Sequence, residues 1–236
     1  MQGTLFLLPS PLGEDSGLAD FGIPASSAAR VRHVKFFLAE NLRSARRYLR
    51  ELELQHAVQE LAIDCIDRKH AEKSVGELLQ PLLGGHDVAL LSEAGCPCVA
   101  DPGSEIVLEA QRYGIRVIPL PGPSSILLAL MASGLNGQNF AFNGYLPKES
   151  AEREQAIKNL EERSAKTKAS QIFIETPYRN QTMLESILKV AKPATLLCIA
   201  QGLLQNDEWI ATRSIAKWRE APPQLSKTPA VFLLQG

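Results

Sequence analysis

The sequence predicts an α/β protein built as two α/β halves with a ligand cleft between them. Three observations carry that prediction. Short apolar runs of strand length alternate with helix-length segments, the pattern of βαβ units and parallel strands. The run Val88-Ala89-Leu90-Leu91 is apolar at every position, as a strand buried on both faces must be. Polar or proline-rich loops follow several predicted strands in both halves, at the strand ends where open α/β sheets bind ligands.

The elements follow in order. Thr4–Leu8 reads as the first strand and runs into Pro9-Ser10-Pro11-Leu12-Gly13, a loop whose prolines exclude helix. Glu14–Ala29 is small and polar, with weak periodicity. Val34–Ala39 is the second strand and Leu42–Leu54 a helix. Ala62–Ile66 is a short strand, and Glu72–Leu83 a helix closed by Gly84-Gly85. Val88–Leu91 is followed by a long loop to Gly103, the helix Ser104–Tyr113 and the strand Ile115–Leu120. The loop Pro121-Gly122-Pro123-Ser124-Ser125 then offers Ser124 or Ser125 as N-cap to the apolar helix Ile126–Ser133. The domain boundary falls near it, giving domains 1–118 and 119–236. The second half reads as strand Phe140–Lys148, a helix Glu149–Lys168 with a solvated charged face, strand Gln171–Glu175, helix Thr182–Val190 and strand Ala194–Ala200. A hairpin over Glu208–Ala216 and a last strand, Val231–Gln235, complete it. Ser164–Ala169 and Ala221–Thr228 read as surface loops.

Composition narrows the function. At 236 residues and 45% hydrophobic, the chain is long and apolar enough for two cores. A net charge of −1 excludes coating of nucleic acid by bulk charge but leaves room for a local basic patch. No apolar run reaches the ~18 residues of a membrane span. The N-terminus lacks a basic n-region and reads as a strand, not a signal peptide, which points to the cytoplasm. Cys65, Cys96, Cys98 and Cys198 are not at zinc spacing and the four histidines are scattered, so no metal site is expected. GxGxxG, GxxxxGK[ST] and GxSxG are absent.

Two features stand out. The loop Ser92–Gly103 is far longer than the roughly 2–6 residues of an ordinary strand-to-helix connection, and carries Glu93 and Asp101. The helix after Leu42 places Arg43, Arg46, Arg47 and Arg50 on one face. Between Arg30 and Arg50 there are seven basic residues and one acid, Glu40. Like charges on one face repel, so a polyanion such as nucleic acid is a natural partner, and neutralisation by acids elsewhere in the fold is the alternative.

The runs SEAGCPCVADPG (Ser92–Gly103), PGPSS (Pro121–Ser125), FNGYLP (Phe142–Pro147) and ETPYRN (Glu175–Asn180) resemble the tetrapyrrole methylase superfamily, the class III S-adenosylmethionine-dependent methyltransferases. Order and spacing agree over nearly the whole chain. Within the superfamily the sequence is most similar to the small-subunit rRNA cytidine 2′-O-methyltransferase branch. The resemblance implies a fold of two αβα domains and a homodimer that binds S-adenosylmethionine in the interdomain cleft, against Pro11, Gly13, Ser92, Glu93, Ala94, Gly95, Val99, Ala100, Ser124, Ser125, Thr176, Tyr178 and Ala230. It implies RNA, or the ribosomal small subunit, as partner, with Arg43, Arg46 and Arg47 on substrate phosphates.

Several positions depart from the pattern. Glu93 stands where the branch usually has Asp. SPLGED replaces TPIGNLED, and Ala39-Glu40-Asn41-Leu42-Arg43 replaces AEDTR. Gln201-Gly202-Leu203-Leu204-Gln205 replaces RELTK and removes its three charges. Cofactor loops are therefore better preserved than substrate-side residues.

A sulfonium methyl is already activated, so such an enzyme mainly aligns the nucleophile and removes its proton. Glu93, Asp101 and Glu40 are the candidate bases, and Glu93 comes first. Asp101 reads as an N-cap for the Ser104 helix, and pairing with Arg43 is the structural alternative for Glu40. A methyltransferase acting on a tetrapyrrole or other small molecule, and a cofactor-binding protein with weak catalysis, stay open on the same residues.

Overall fold

The computed structural model describes residues 1–13, 22–67, 69–70 and 72–236. The chain divides into two units, Met1–Ser124 and Ser125–Gly236. The division falls beyond the sequence boundary at 118 because the linker packs back on the first unit. Leu120 N donates to Leu7 O at 3.0 Å, and Gly122 lies against Pro9.

The first unit holds a five-stranded parallel sheet in the order β3-β2-β4-β1-β5. The strands are β1 Thr4–Leu8, β2 Phe36–Ala39, β3 Ala62–Cys65, β4 Val88–Leu91 and β5 Arg116–Pro119. β4 is central, with its four residues at most 1% exposed, as its unbroken apolar run requires. Side chains alternate between two cores. Phe6, Leu8, Phe37, Ala89 and Leu91 face α1 (Ala25–Val31) and α2 (Leu42–Glu51). Leu5, Leu38, Val88 and Leu90 face α3 (Val75–Leu78), α4 (Gln80–Leu83) and α5 (Ser104–Arg112).

Three local expectations change here. Residues 14–21 lie outside the described residues, but Ala25–Ala29 belongs to a helix, α1. Its periodicity is weak because Ser27 and Val31 alone are buried. The helix from 72 to 83 is split at Leu79, beside Pro81, which lacks the amide to continue the ladder; Ser74 and Glu77 form a capping box at its start. α2 stops at Glu51, where Leu52 turns to extended backbone.

The second unit has a five-stranded sheet in the order β6-β7-β10-β8-β9. The strands are β6 Phe140–Tyr145, β7 Ser170–Glu175, β8 Leu196–Gln201, β9 Trp209–Ser214 and β10 Ala230–Gln235. Only β6 and β7 are parallel; β10 runs antiparallel to β7 and β8, and β9 antiparallel to β8. This sheet is therefore mixed, where the first is parallel throughout. β8 reaches β9 through a short loop, which returns the chain antiparallel. The hairpin therefore pairs β8 with β9, and the segment given to it runs on into a helix, α9 (Ile215–Glu220).

Helices α6 (Ser125–Ser133), α7 (Ser150–Thr167) and α8 (Asn180–Val190) complete the unit. Its core gathers Ile157, Leu184, Ile199 and Trp218 around stacked Phe173 and Phe232, 5.6 Å apart. α7 runs through the predicted 164–169 loop and closes on Lys168 in the left-handed region. Its charge pattern also misleads. Arg153 and Glu161 are buried, Arg153 donating to Ser186 Oγ at 2.9 Å and Glu161 accepting from Lys192 N at 2.8 Å. No helix among the described residues is long and apolar enough to cross a membrane.

Candidate functional site

β1 and β4 are neighbours whose connections leave in opposite directions, β1 toward β2 and β4 toward β5. Ligands bind outside the carboxyl ends of such a strand pair. Here the two end loops are tied together. Ser10 and Gly95 exchange backbone hydrogen bonds at 2.9 Å each way, Ser10 Oγ donates to Ser92 O at 2.7 Å, and Ser92 Oγ donates to Gly95 O at 2.7 Å. Tyr48 of α2 donates to Pro9 O at 2.9 Å and holds the first loop from the other side.

The second loop is strained as well as long. Gly95 and Gly103 have positive φ, as do Cys98 (66°) and Ala100 (65°), which carry a Cβ. Left-handed non-glycine residues concentrate where a loop's shape is dictated by function. Both cysteine thiols in it are raised by burial, and all four cysteines are free.

Two concavities meet at this loop. A cavity of about 240 Å³ is walled by Ser10–Gly13, Ser92–Ala94 and, from α2, Ala45, Arg47 and Tyr48. A groove of about 670 Å³ runs along α2, walled by Arg43, Arg46, Arg47 and Arg50 and ending on Asn41, Ser44 and Glu93. Glu93 borders both. Among the described residues, Arg43, Arg46 and Arg50 make no ion pair.

Glu93 is exposed, and its Oε1 accepts from Ser44 Oγ at 3.1 Å and Asn41 Nδ2 at 3.4 Å. Asn41 also caps α2 through Arg43 N and Ser44 N. Glu40 and Asp101 are partly buried beside it. Burial first, then Glu93 and Asp67, raises the Glu40 carboxyl. Burial first, then Glu40 and Glu93, pushes Asp101 up to about 6. Asp101 does not cap α5; Gly103 holds that position without a side-chain bond. Nor does Glu40 pair with Arg43 among the described residues.

In the second unit, one end of the sheet brings Thr176, Tyr178 and Ala230 into one region. Ala230 opens β10 and pairs with Glu175 and Gln201. Glu175 is buried, faces Arg179 at 2.7 Å, and accepts from Thr176 N at 2.7 Å, which shapes the turn that leaves Tyr178 exposed. Asn180 Nδ2 donates to Thr228 O at 2.7 Å and holds the strand leading into Ala230. Ser124 ends the first unit and Ser125 begins α6 in the second.

A family profile described as Tetrapyrrole (Corrin/Porphyrin) Methylases matches residues 26–216. The chain belongs to the tetrapyrrole methylase family. It is by that membership an S-adenosylmethionine-dependent methyltransferase. A protein of Halalkalibacterium halodurans called ribosomal RNA small subunit methyltransferase I is 32% identical over 190 residues, 80% of this chain and 61% of that protein. The protein of the same name from Pseudomonas aeruginosa is 30% identical over 238 residues, 99% of this chain and 79% of that one. The solved uroporphyrin-III-C-methyltransferase of Thermus thermophilus shares the fold, with a TM-score of 0.57 at 19% identity over 100% of this chain and 93% of that one.

Of the residues named from sequence, the tetrapyrrole methylase fold brings Pro11, Gly13, Ser92, Glu93 and Ala94 together around the smaller cavity, bridges Gly95 to Ser10 in its wall, and sets Arg43, Arg46 and Arg47 along the groove. Val99 and Ala100 lie exposed further round the same loop. Sequence reasoning missed Ser10, Asn41 and Ser44, and ranked Asp101 as a cap. Ser10 lay inside a motif already quoted. Asn41 carried a helix-start signal that could have found it, whereas nothing local marks Ser44 as a partner of Glu93. Asn41 and Glu93, from two different loops, meet in one hydrogen bond. Among the described residues, no group of three or more His, Cys, Asp or Glu side chains is placed to hold a metal ion.

Proposed function

We propose that this chain transfers a methyl group from S-adenosylmethionine to a ribose 2′-hydroxyl of small-subunit ribosomal RNA. The observation that carries the proposal is the position of Glu93, between the backbone-lined cavity and the arginine groove. The relatives' names support the RNA substrate.

The cavity fits part of the cofactor. Its walls combine apolar Leu12, Ala45 and Tyr48 with the polar Ser92–Glu93 corner, the mixture of a small-molecule site. Pro11, Gly13, Ser92 to Gly95, Val99 and Ala100 would hold it from the first unit, and Ser124, Ser125, Thr176, Tyr178 and Ala230 are its proposed contacts beyond them. When bound, it supplies a methyl group already activated on sulfur.

The chain's own residues do the remaining work. Arg43, Arg46 and Arg47 bind phosphates on either side of the target nucleotide as fixed cations on a helix. Glu93 accepts the hydroxyl proton as that oxygen becomes a nucleophile. Asp101 and Glu40 stand beside it as further acids, their own carboxyls raised first by burial. The working form is proposed to be a homodimer in the cytoplasm.

The test is incorporation of labelled methyl into small ribosomal subunits lacking the modification, followed by mapping of the modified nucleotide. Glu93→Gln should lower kcat roughly 100-fold or more, with little change in cofactor affinity. Cofactor binding with no transfer to the subunit or its RNA would overturn the proposal. A tetrapyrrole substrate predicts transfer without the steep salt dependence that phosphate contacts impose.

A further inference from the structure

We infer that Ser44, together with Asn41, is a positioning residue that aims Glu93 and locks it to the arginine-bearing helix. The inference rests on the reading of Glu93 as the base, and deepens it. Glu93 is exposed on a loop, so its long side chain has several rotamers open to it. A base acts only within hydrogen-bond reach of the proton it takes, so one rotamer must be chosen.

The donors that choose it come from α2 and its N-cap. Ser44 Oγ donates to Oε1 at 3.1 Å and Asn41 Nδ2 to the same oxygen at 3.4 Å. Oε2 makes no hydrogen bond among the described residues and is the oxygen left to receive a proton. Asn41 serves twice, because its Oδ1 caps the helix at Arg43 N (2.9 Å) and Ser44 N (3.2 Å). The carboxylate is thus held at the amino end of a ten-residue helix, where the helix dipole favours an anion.

The other groups around Glu93 cannot aim it. Glu40, at the end of β2, and Asp101, later in the same loop, are acids that repel it. Arg43, Arg46 and Arg50 line the groove and, among the described residues, make no hydrogen bond or ion pair to its carboxylate. Ser44 and Asn41 are therefore what holds the base in one place. They also tie the base, on its own loop, to the helix that carries the phosphate-binding arginines. That fixes the distance from a gripped phosphate to the proton acceptor, and with it which hydroxyl along an RNA strand is presented.

The experiment compares wild type, Ser44→Ala, Ser44→Thr and Glu93→Gln on small ribosomal subunits lacking the modification. Ser44→Ala should lower kcat about tenfold with KM for the subunit nearly unchanged, and Ser44→Thr, which keeps the hydroxyl, should restore most of it. A Ser44→Ala enzyme with wild-type kcat overturns the inference, as does a loss that Ser44→Thr does not rescue. The two readings fail separately. If Glu93→Gln is inactive while Ser44→Ala is normal, only the positioning role falls. If Glu93→Gln keeps wild-type kcat, the assignment of the base falls, and the inference with it.

Discussion

Asp101 shows how a single carboxyl reports its surroundings. Its pKa is pushed up to about 6 by burial, then by Glu40 and Glu93. Between about pH 4 and pH 6 the folded chain keeps a proton there that the unfolded chain has lost. Stability contributed by this group is therefore full below the unfolded value and falls as pH rises through the folded one. Asp101→Asn removes the titration. Relative to wild type it should gain about 1 kcal/mol between pH 4 and pH 7, after discounting for partial exposure. Urea unfolding across that range measures the difference, and parallel curves for the two proteins would refute it. From sequence Asp101 was legible as a loop acid before a helix, which is also the signature of a cap. Only the approach of Glu40, brought in by another strand, separates the two roles.

At the scale of elements, α2 and the linker carry the sharpest expectations. If the arginine face binds phosphates, replacing Arg43, Arg46 and Arg47 together by Ala should reduce the slope of log K against log salt for RNA binding by about 2 to 3. An unchanged slope would count against the face. In the linker, a Cβ on Gly122 would lie 2.4 Å from Pro9 Cβ and 2.6 Å from its Cγ. Neither proline ring nor backbone can yield cheaply, so Gly122→Ala should cost about 2 kcal/mol in thermal or denaturant unfolding. α2 was readable because charge at helical spacing is a local pattern. α1 was not, because a helix that buries only Ser27 and Val31 leaves almost no hydrophobic period. Likewise the alternating charges of α7 resemble a solvated face, although Arg153 and Glu161 are buried by partners from α8 and the segment after it.

For the molecule as a whole, cofactor binding is the integrating measurement. Calorimetric titration with S-adenosylmethionine and S-adenosylhomocysteine should show one saturable site per chain. At a ligand concentration of about 100 times Kd, thermal stability should rise by roughly 2.7 kcal/mol. Sedimentation of the same sample tests the proposed dimer. Failure of both ligands to bind would leave the family fold without its cofactor site.

The sequence by itself determined the two-sheet α/β plan, β1 and β4 to the residue, the long Ser92–Gly103 loop and the basic face of α2. Each of these is written in neighbouring residues, as an apolar run, a break or a helical period. Tertiary structure decided strand direction in the second sheet, the bridge between Ser10 and Gly95, and the meeting of Glu93 with Asn41 and Ser44. It also decided that Asp101 sits among acids and does not cap a helix. Those features join segments far apart in the chain, so their energies depend on distances that no local pattern contains.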